Sequence, residues 1–268
     1  MIKKALFGAA LAASLFALSA PASATLTNWF IDTDGPGGNA KVLVSDYLDL
    51  TGVAYVHNTF ATLTTFAFNE AGSFNVLSHD GGPPIGSTLS PALTAKFLGS
   101  GTGTTGGALN FTPGVTSTLK VFSGVLDIAD FFLQAGSANL QAGTVLPNGA
   151  VSFIFKATRL TAGYFFDSAM NDLSLIANSP TGLLLGFATT NVISLANGTR
   201  TVDPGLIGDY NTAFNPDVIG PVLANNTTDL YLSNNGQFRL QVPEPSMLSL
   251  LGLALIGAGF ASRRKSKA

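Results

Sequence analysis

The stretch DLYLSNNGQFRLQV, residues 229–242, decides how the rest of the chain is read. Apolar and polar residues alternate on both sides of Asn234-Asn235-Gly236, and Asn-Gly between alternating runs is the strongest short signal for a tight turn. The pattern predicts a β-hairpin in which Leu230 and Leu232 face the same core as Phe238, Leu240 and Val242.

Runs of the same kind recur upstream: KVLVSDY (41–47), TGVAYVH (51–57), ALTAKFLG (92–99), STLKVFSG (117–124) and VSFIFKATR (151–159). In TSTLKVF, Leu119 and Val121 fall on one face, and Lys120 and Phe122 on the other. Residues 25–242 hold 26 Gly, 27 Thr and 18 Asn, which read as turn formers (Gly, Asn) and as residues of half-exposed strands (Thr). YFFDSAMNDLSLIA (164–177) fits either a short helix or a strand, turn and strand. The expectation is all-β: a single antiparallel β-sandwich or jelly-roll-like domain over residues 25–241, without repeats or internal linkers. The seventeen Phe of residues 25–242 are expected mostly in its core, and Trp29 either in a first strand or in contact with a ligand.

The two ends differ from this body. Residues 1–24 begin with Lys3 and Lys4, continue through an apolar run (5–18) and close on Ala22-Ser23-Ala24, the pattern of a secretory signal peptide cleaved before Thr25. Between residues 25 and 242 remain seven Lys and Arg against fourteen Asp and Glu, a net charge of −7 rather than the −2 of the whole chain. A sparse, acidic surface excludes nucleic-acid or anionic-lipid binding through a basic patch. The absence of cysteine excludes disulfides, thiolate metal sites and a cysteine nucleophile.

Catalytic patterns are weak throughout. GTGTTG (101–106) has the glycine spacing of a dinucleotide fingerprint, but GALNFTPG follows, where no helix can start to receive a pyrophosphate, so a turn between strands is expected there. His57 lies in a strand-like run and His79 opens the turn HDGGPP; no Gly-x-Ser-x-Gly elbow exists. In IDTDGPGG, Asp32 and Asp34 followed by glycine resemble the start of a calcium loop, with Asp127 and Asp130 as further oxygen donors. An Asp-Gly turn is the plainer reading. No cofactor is expected beyond a possible structural calcium at Asp32 and Asp34, and no enzymatic activity.

The C-terminal segment 242–268 opens on Pro243-Glu244-Pro245, continues with an uncharged run (247–261) and ends in Arg263, Arg264, Lys265 and Lys267. As a helix the run is about 22 Å long, shorter than a hydrocarbon core of about 30 Å. The basic cluster places its end in the cytoplasm, as do the lysines of the N-terminal signal, so the body lies outside. In order and spacing this segment resembles the PEP-CTERM sorting signal of Gram-negative bacteria. The resemblance implies export across the inner membrane, transient insertion of a short transmembrane helix, and processing near the triplet by an exosortase after signal peptidase has acted. The triplet itself disfavours helix and strand, leaving Glu244 extended and accessible.

Within the body, SDYLDLTGVAYVHNTFATLTTFAFNEAGSFNV, LTAKFLGSGT and LNFTPGVTSTLKVFSG are similar to the flocculation-associated branch of PEP-CTERM proteins, over about residues 40–200. That resemblance implies a non-enzymatic surface or extracellular-matrix protein, associated with exopolysaccharide and with cell aggregation in flocs or biofilm. The competing expectation is an exported carbohydrate- or calcium-dependent binding module.

Overall fold

The computed structural model describes residues 23–37, 41–82, 92–105, 107, 109–140, 148–177, 182–194, 198–201, 204–214, 222–225 and 228–243. Residues Thr25–Gln241 form one compact body.

Eight strand positions close on themselves in that body. β4 (Leu48–Phe60), β5 (Thr65–His79), β6 (Leu93–Thr104), β8 (Gly114–Ser123), β9 (Leu126–Leu140), β10 (Asn148–Leu160), β12 (Leu184–Ser194) and β15 (Asp229–Pro243) each pair antiparallel with the next. The short β7 (Leu109–Phe111) shares the position of β8 between β6 and β9. β15 then pairs back onto β4, from Asp229 opposite His57 to Phe238 opposite Leu48. This is an up-and-down barrel, which corrects the expected sandwich or jelly roll: a sandwich leaves open sheet edges, whereas here β4 has neighbours on both sides.

The hairpin expected at 229–242 is the reason for that miss. β15 is one continuous strand of 15 residues through Asn234-Asn235-Gly236. Leu230, Leu232, Asn234, Gly236, Phe238 and Leu240 are all buried, so the period of two runs through the Asn-Gly pair without a break. Asn235 points outward and accepts a hydrogen bond on Oδ1 from Thr51 Oγ1 at 2.7 Å. Ladders on both flanks give β15 more backbone pairing than a hairpin would, and the local turn preference loses. The irregularity sits in β12 instead, where the register shifts between Thr189 and Asn191 opposite this point.

Glycine plays a different part from the one expected. On β6 the buried, lumen-facing positions are Leu93, Ala95, Phe97, Gly99, Gly101 and Gly103, so most of GTGTTG is strand rather than turn. A side chain there would collide with aromatic rings: a Cβ on Gly101 would lie 2.5 Å from Phe68 Cζ, and one on Gly103 2.8 Å from Phe66 Cζ. Gly136 stands in the same relation to Phe153, and Gly236 to Phe187. An eight-stranded barrel has an interior just wide enough for side chains, and here rings from some strands fill the room left by glycines on others. Phe153 is the hub, with ring centroids 4.6 Å from Phe111, 5.0 Å from Phe97 and 5.9 Å from Phe187. Each ring removed from water contributes roughly 1.5–3 kcal/mol. The expectation that phenylalanine forms the core holds.

The outer face carries Asn75, Thr102, Ser137, Ser152, Thr158 and Asn235, all exposed. Leu77 and Ile154 are exposed on the same outward face, so it is mixed, whereas the inward face is almost wholly apolar.

Three additions belong to the body, one of them the antiparallel pair of β13 (Gly198–Thr201) and β14 (Val222–Asn225). A three-stranded sheet of β2 (Trp29–Ile31), β3 (Val42–Val44) and β11 (Phe165–Phe166) caps one end. Trp29 is fully buried there, 6.4 Å from Phe165 and 6.5 Å from Phe238. The ambiguous segment 164–177 resolves into β11, a turn held by Asp167, and a single helical turn, Ser174–Ala177. A second helix, Pro204–Phe214, begins with proline at its first position and lays Leu206, Ile207 and Tyr210 on Tyr55 and Ala71 of the barrel wall. No helix among the described residues is long and apolar enough to cross a membrane, and the run 247–261 lies outside them.

Candidate functional site

The barrel interior is apolar except for a few side chains, and two of them meet at one place. On β5 the buried row runs Phe66, Phe68, Glu70, Gly72, Phe74, so the alternation that carries three phenylalanines inward carries Glu70 with them. On β15 the same alternation carries Asn234 inward between Leu232 and Gly236. Both line a single cavity whose other walls include Phe74, Phe97, Phe153 and Phe187. It is small, leaving about 10 Å³ for the centre of a water-sized sphere.

Glu70 is the single glutamate of residues 25–242. Burial among rings pushes its carboxyl up to about 8 from an ordinary value of 4.5. At neutral pH it is therefore mostly protonated, able both to donate and to accept a hydrogen bond. Asn234 is 4% exposed, and its Oδ1 receives no hydrogen bond from any described residue. Neither residue was among the expected site residues, although the spacing F-x-F-x-E-x-G-x-F already places an acid on the apolar face of a strand.

The expected metal ligands are in the cap. Asp32 is 2% exposed, 3.3 Å from Lys41 Nζ, and accepts the Gly35 N–H on Oδ1 at 3.2 Å. Burial and a hydrogen bond shared with the Asp34 carboxyl raise its pKa, against the opposing pull of Lys41. Gly35 has φ of +77°, so the segment is the Asp-Gly turn of the plainer reading. An ammonium stands beside Asp32 where a calcium ion would need open carboxylate oxygens, so this pair fits calcium poorly. Asp127 and Asp130 are taken up elsewhere, in ion pairs with Lys120 and Arg159 of 2.5 to 3.1 Å. Among the described residues no group of three or more His, Cys, Asp or Glu is placed to hold a metal ion.

The histidines lie apart, at opposite ends of the β4–β5 pair. His57 Nδ1 is 2.8 Å from Asp229 Oδ1, which also accepts the Tyr55 hydroxyl at 2.7 Å, so one carboxylate ties the start of β15 to β4. His79 Nδ1 is 2.9 Å from Asp80. Burial opposes ionisation of Asp80, but His79 and the N–H groups of Ser45, Asp46 and Tyr47 together hold its carboxyl down at about 2. Both clusters fasten strands and turns.

Of the expected sorting triplet, Pro243 is the last residue of β15. Glu244 and Pro245, the cluster Arg263, Arg264, Lys265 and Lys267, and Ala22 of the signal segment lie outside the described residues.

Comparison with protein families matches residues 241–265 to the PEP-CTERM protein-sorting motif. No curated protein and no solved structure matches the chain. The motif implies an exported, exosortase-processed protein of the cell envelope. It covers the tail alone.

Proposed function

We propose that the chain is a non-enzymatic surface or extracellular-matrix protein of a Gram-negative bacterium. In this reading it is released by exosortase processing and associates with exopolysaccharide in aggregating cells. The observation that carries this reading is the sorting motif at 241–265. Two features support the finer part. Among the described residues the lumen is packed with phenylalanine, which favours recognition on the outside. The outside presents rows of Thr, Ser and Asn, which suit hydrogen bonding to sugar hydroxyls.

The test is the intact mass of the chain recovered from matrix and from membrane. It is made for the native sequence and for a variant with Pro243, Glu244 and Pro245 all changed to Ala. The expected result is a matrix form that starts at Thr25 and ends near Pro245, and that is lost in the alanine variant. A full tail retained in the membrane in both cases overturns the processing reading. Deletion of the gene with unchanged aggregation and unchanged matrix polysaccharide overturns the matrix role while leaving the processing reading intact.

A further inference from the structure

The cavity between Glu70 and Asn234 lies at a special place in the topology. β5 and β15 do not pair with each other; both flank β4, the strand on which the barrel closes. On β4, Asn234 stands opposite Gly52 and Glu70 opposite Val56. At Gly52 the backbone and ring of β5 occupy the space of a side chain: a Cβ added there would lie 2.2 Å from the Ser73 carbonyl oxygen and 2.6 Å from the Phe74 ring. Two polar groups from the two strands beside the seam are thus brought to one void within an otherwise aromatic interior.

We propose that this void is a hydration site, where a single water molecule donates a hydrogen bond to Asn234 Oδ1 and bonds to the Glu70 carboxyl, bracing β5 to β15 across the closing strand. Size limits the guest. About 10 Å³ of space for its centre is on the scale of a single water. Polarity then selects it. Empty cavities in proteins are apolar, whereas buried waters sit where otherwise unsatisfied polar groups converge and typically make two to four hydrogen bonds. A 4%-exposed amide oxygen with no donor among the described residues, and a carboxyl offering both a donor and an acceptor, supply such a set. Charge excludes the main rival. Among the described residues Glu70 is the one titratable side chain lining the cavity, and a cation of the same size would need it ionised among rings that offer no other counter-charge. Burial keeps the carboxyl neutral instead.

The experiment is water-to-protein cross-relaxation on the full chain, labelled at asparagine side chains and at phenylalanine. The expected result is a cross peak from a long-lived water to the Asn234 side-chain amide and to a wall ring, retained in Glu70→Gln and lost in Asn234→Leu. Absence of any long-lived water contact at Asn234 in the unaltered chain overturns the proposal, and this arm needs no variant to fold. Survival of the same wall-ring peak in Asn234→Leu also overturns it. A third arm replaces sodium chloride by ammonium chloride. An unchanged water peak supports the proposal, whereas its displacement with a rise in Tm specific to ammonium assigns the site to a cation and overturns it.

Discussion

Two buried carboxyls, Asp32 in the cap and Glu70 in the lumen, show how differently this chain treats the same chemical problem. Asp32 is nearly inaccessible but well supplied, with an ammonium at 3.3 Å, a backbone N–H at 3.2 Å and a hydrogen bond to Asp34. Glu70 is 8% exposed and is surrounded by rings. Burial raises both pKa values, but at Asp32 a cation pulls the other way and at Glu70 nothing does. A turn can bring backbone N–H groups and a neighbouring lysine to a carboxylate. The inside of a barrel cannot, because its N–H groups are spent on the ladder and its side chains are apolar. The lumen therefore holds its acid by keeping the proton.

The largest expected effect breaks the comparison at Glu70. Its carboxyl titrates at its ordinary value of 4.5 when unfolded and at about 8 when folded, so between those values the folded state holds more of the proton. Stability must then fall as pH rises from about 4.5 to about 8 and level off above, by a total on the order of 5 kcal/mol. Glu70→Gln keeps the shape and removes the titration. Urea midpoints measured at pH 5, 7 and 9 should converge on a flatter profile in the variant, with the variant the more stable at pH 9. Parallel profiles for the two proteins would show that the lumen is wetter around Glu70 than its packing implies.

A smaller effect is expected from the rings that surround the acid. Gly101→Ala places a methyl group 2.5 Å from Phe68 Cζ and against the Asn110 carbonyl, in a wall with little slack. Overpacking of this kind typically costs about 1–3 kcal/mol. The measurement is the urea midpoint, with an unchanged slope as the sign that the barrel persists. A neutral substitution would mean that Phe68 has another place to go, and the account of glycines as room for rings would lose its best example.

How much of this was legible in the sequence depends on which neighbours decide an element. The strand runs at 51–57, 92–99, 117–124 and 151–159 lie largely in strands, because period-two alternation is a local signal and the core confirms it, whereas of 41–47 only Val42–Val44 is strand. Leu119 and Val121 are buried and Lys120 is exposed, as the alternation requires. Closure was not legible. Asn234-Asn235-Gly236 has the composition of a turn, and only the presence of β4 on one side and β12 on the other keeps it extended. The glycines misled for the same reason: a count of Gly cannot tell a turn from a lumen, whereas Gly99, Gly101 and Gly103 two apart behind Phe97 is a row on one face. Glu70 belongs to no sequence motif, since it stands alone on an apolar strand face with no second acid or histidine beside it. The sorting tail lay open to reading, since a triplet, an apolar run and a basic end are a linear pattern that needs no fold to be recognised.

The smallest expected effect tests the cap side of the comparison. Lys41 Nζ lies 3.3 Å from Asp32 Oδ2 and 4.5 Å from the centre of the Phe166 ring, so its stem and charge bridge β11 to the turn. Lys41→Met keeps much of the stem and removes the charge, leaving Asp32 with the Gly35 N–H and Asp34. Lys41 is itself 29% exposed, so solvent already screens part of the attraction and the loss should be only about 1 kcal/mol near neutral pH. The sign of the pH dependence carries more information than the size. Without the ammonium, the Asp32 pKa rises further, the folded state takes up its proton more readily, and the loss should shrink as pH falls toward 4. Urea titrations of the variant and the native chain at pH 4 and pH 7 measure that difference. A loss that is equal at both values would mean that Lys41 acts through its contact with Phe166, and the two carboxyls would then differ less in their electrostatics than in their packing.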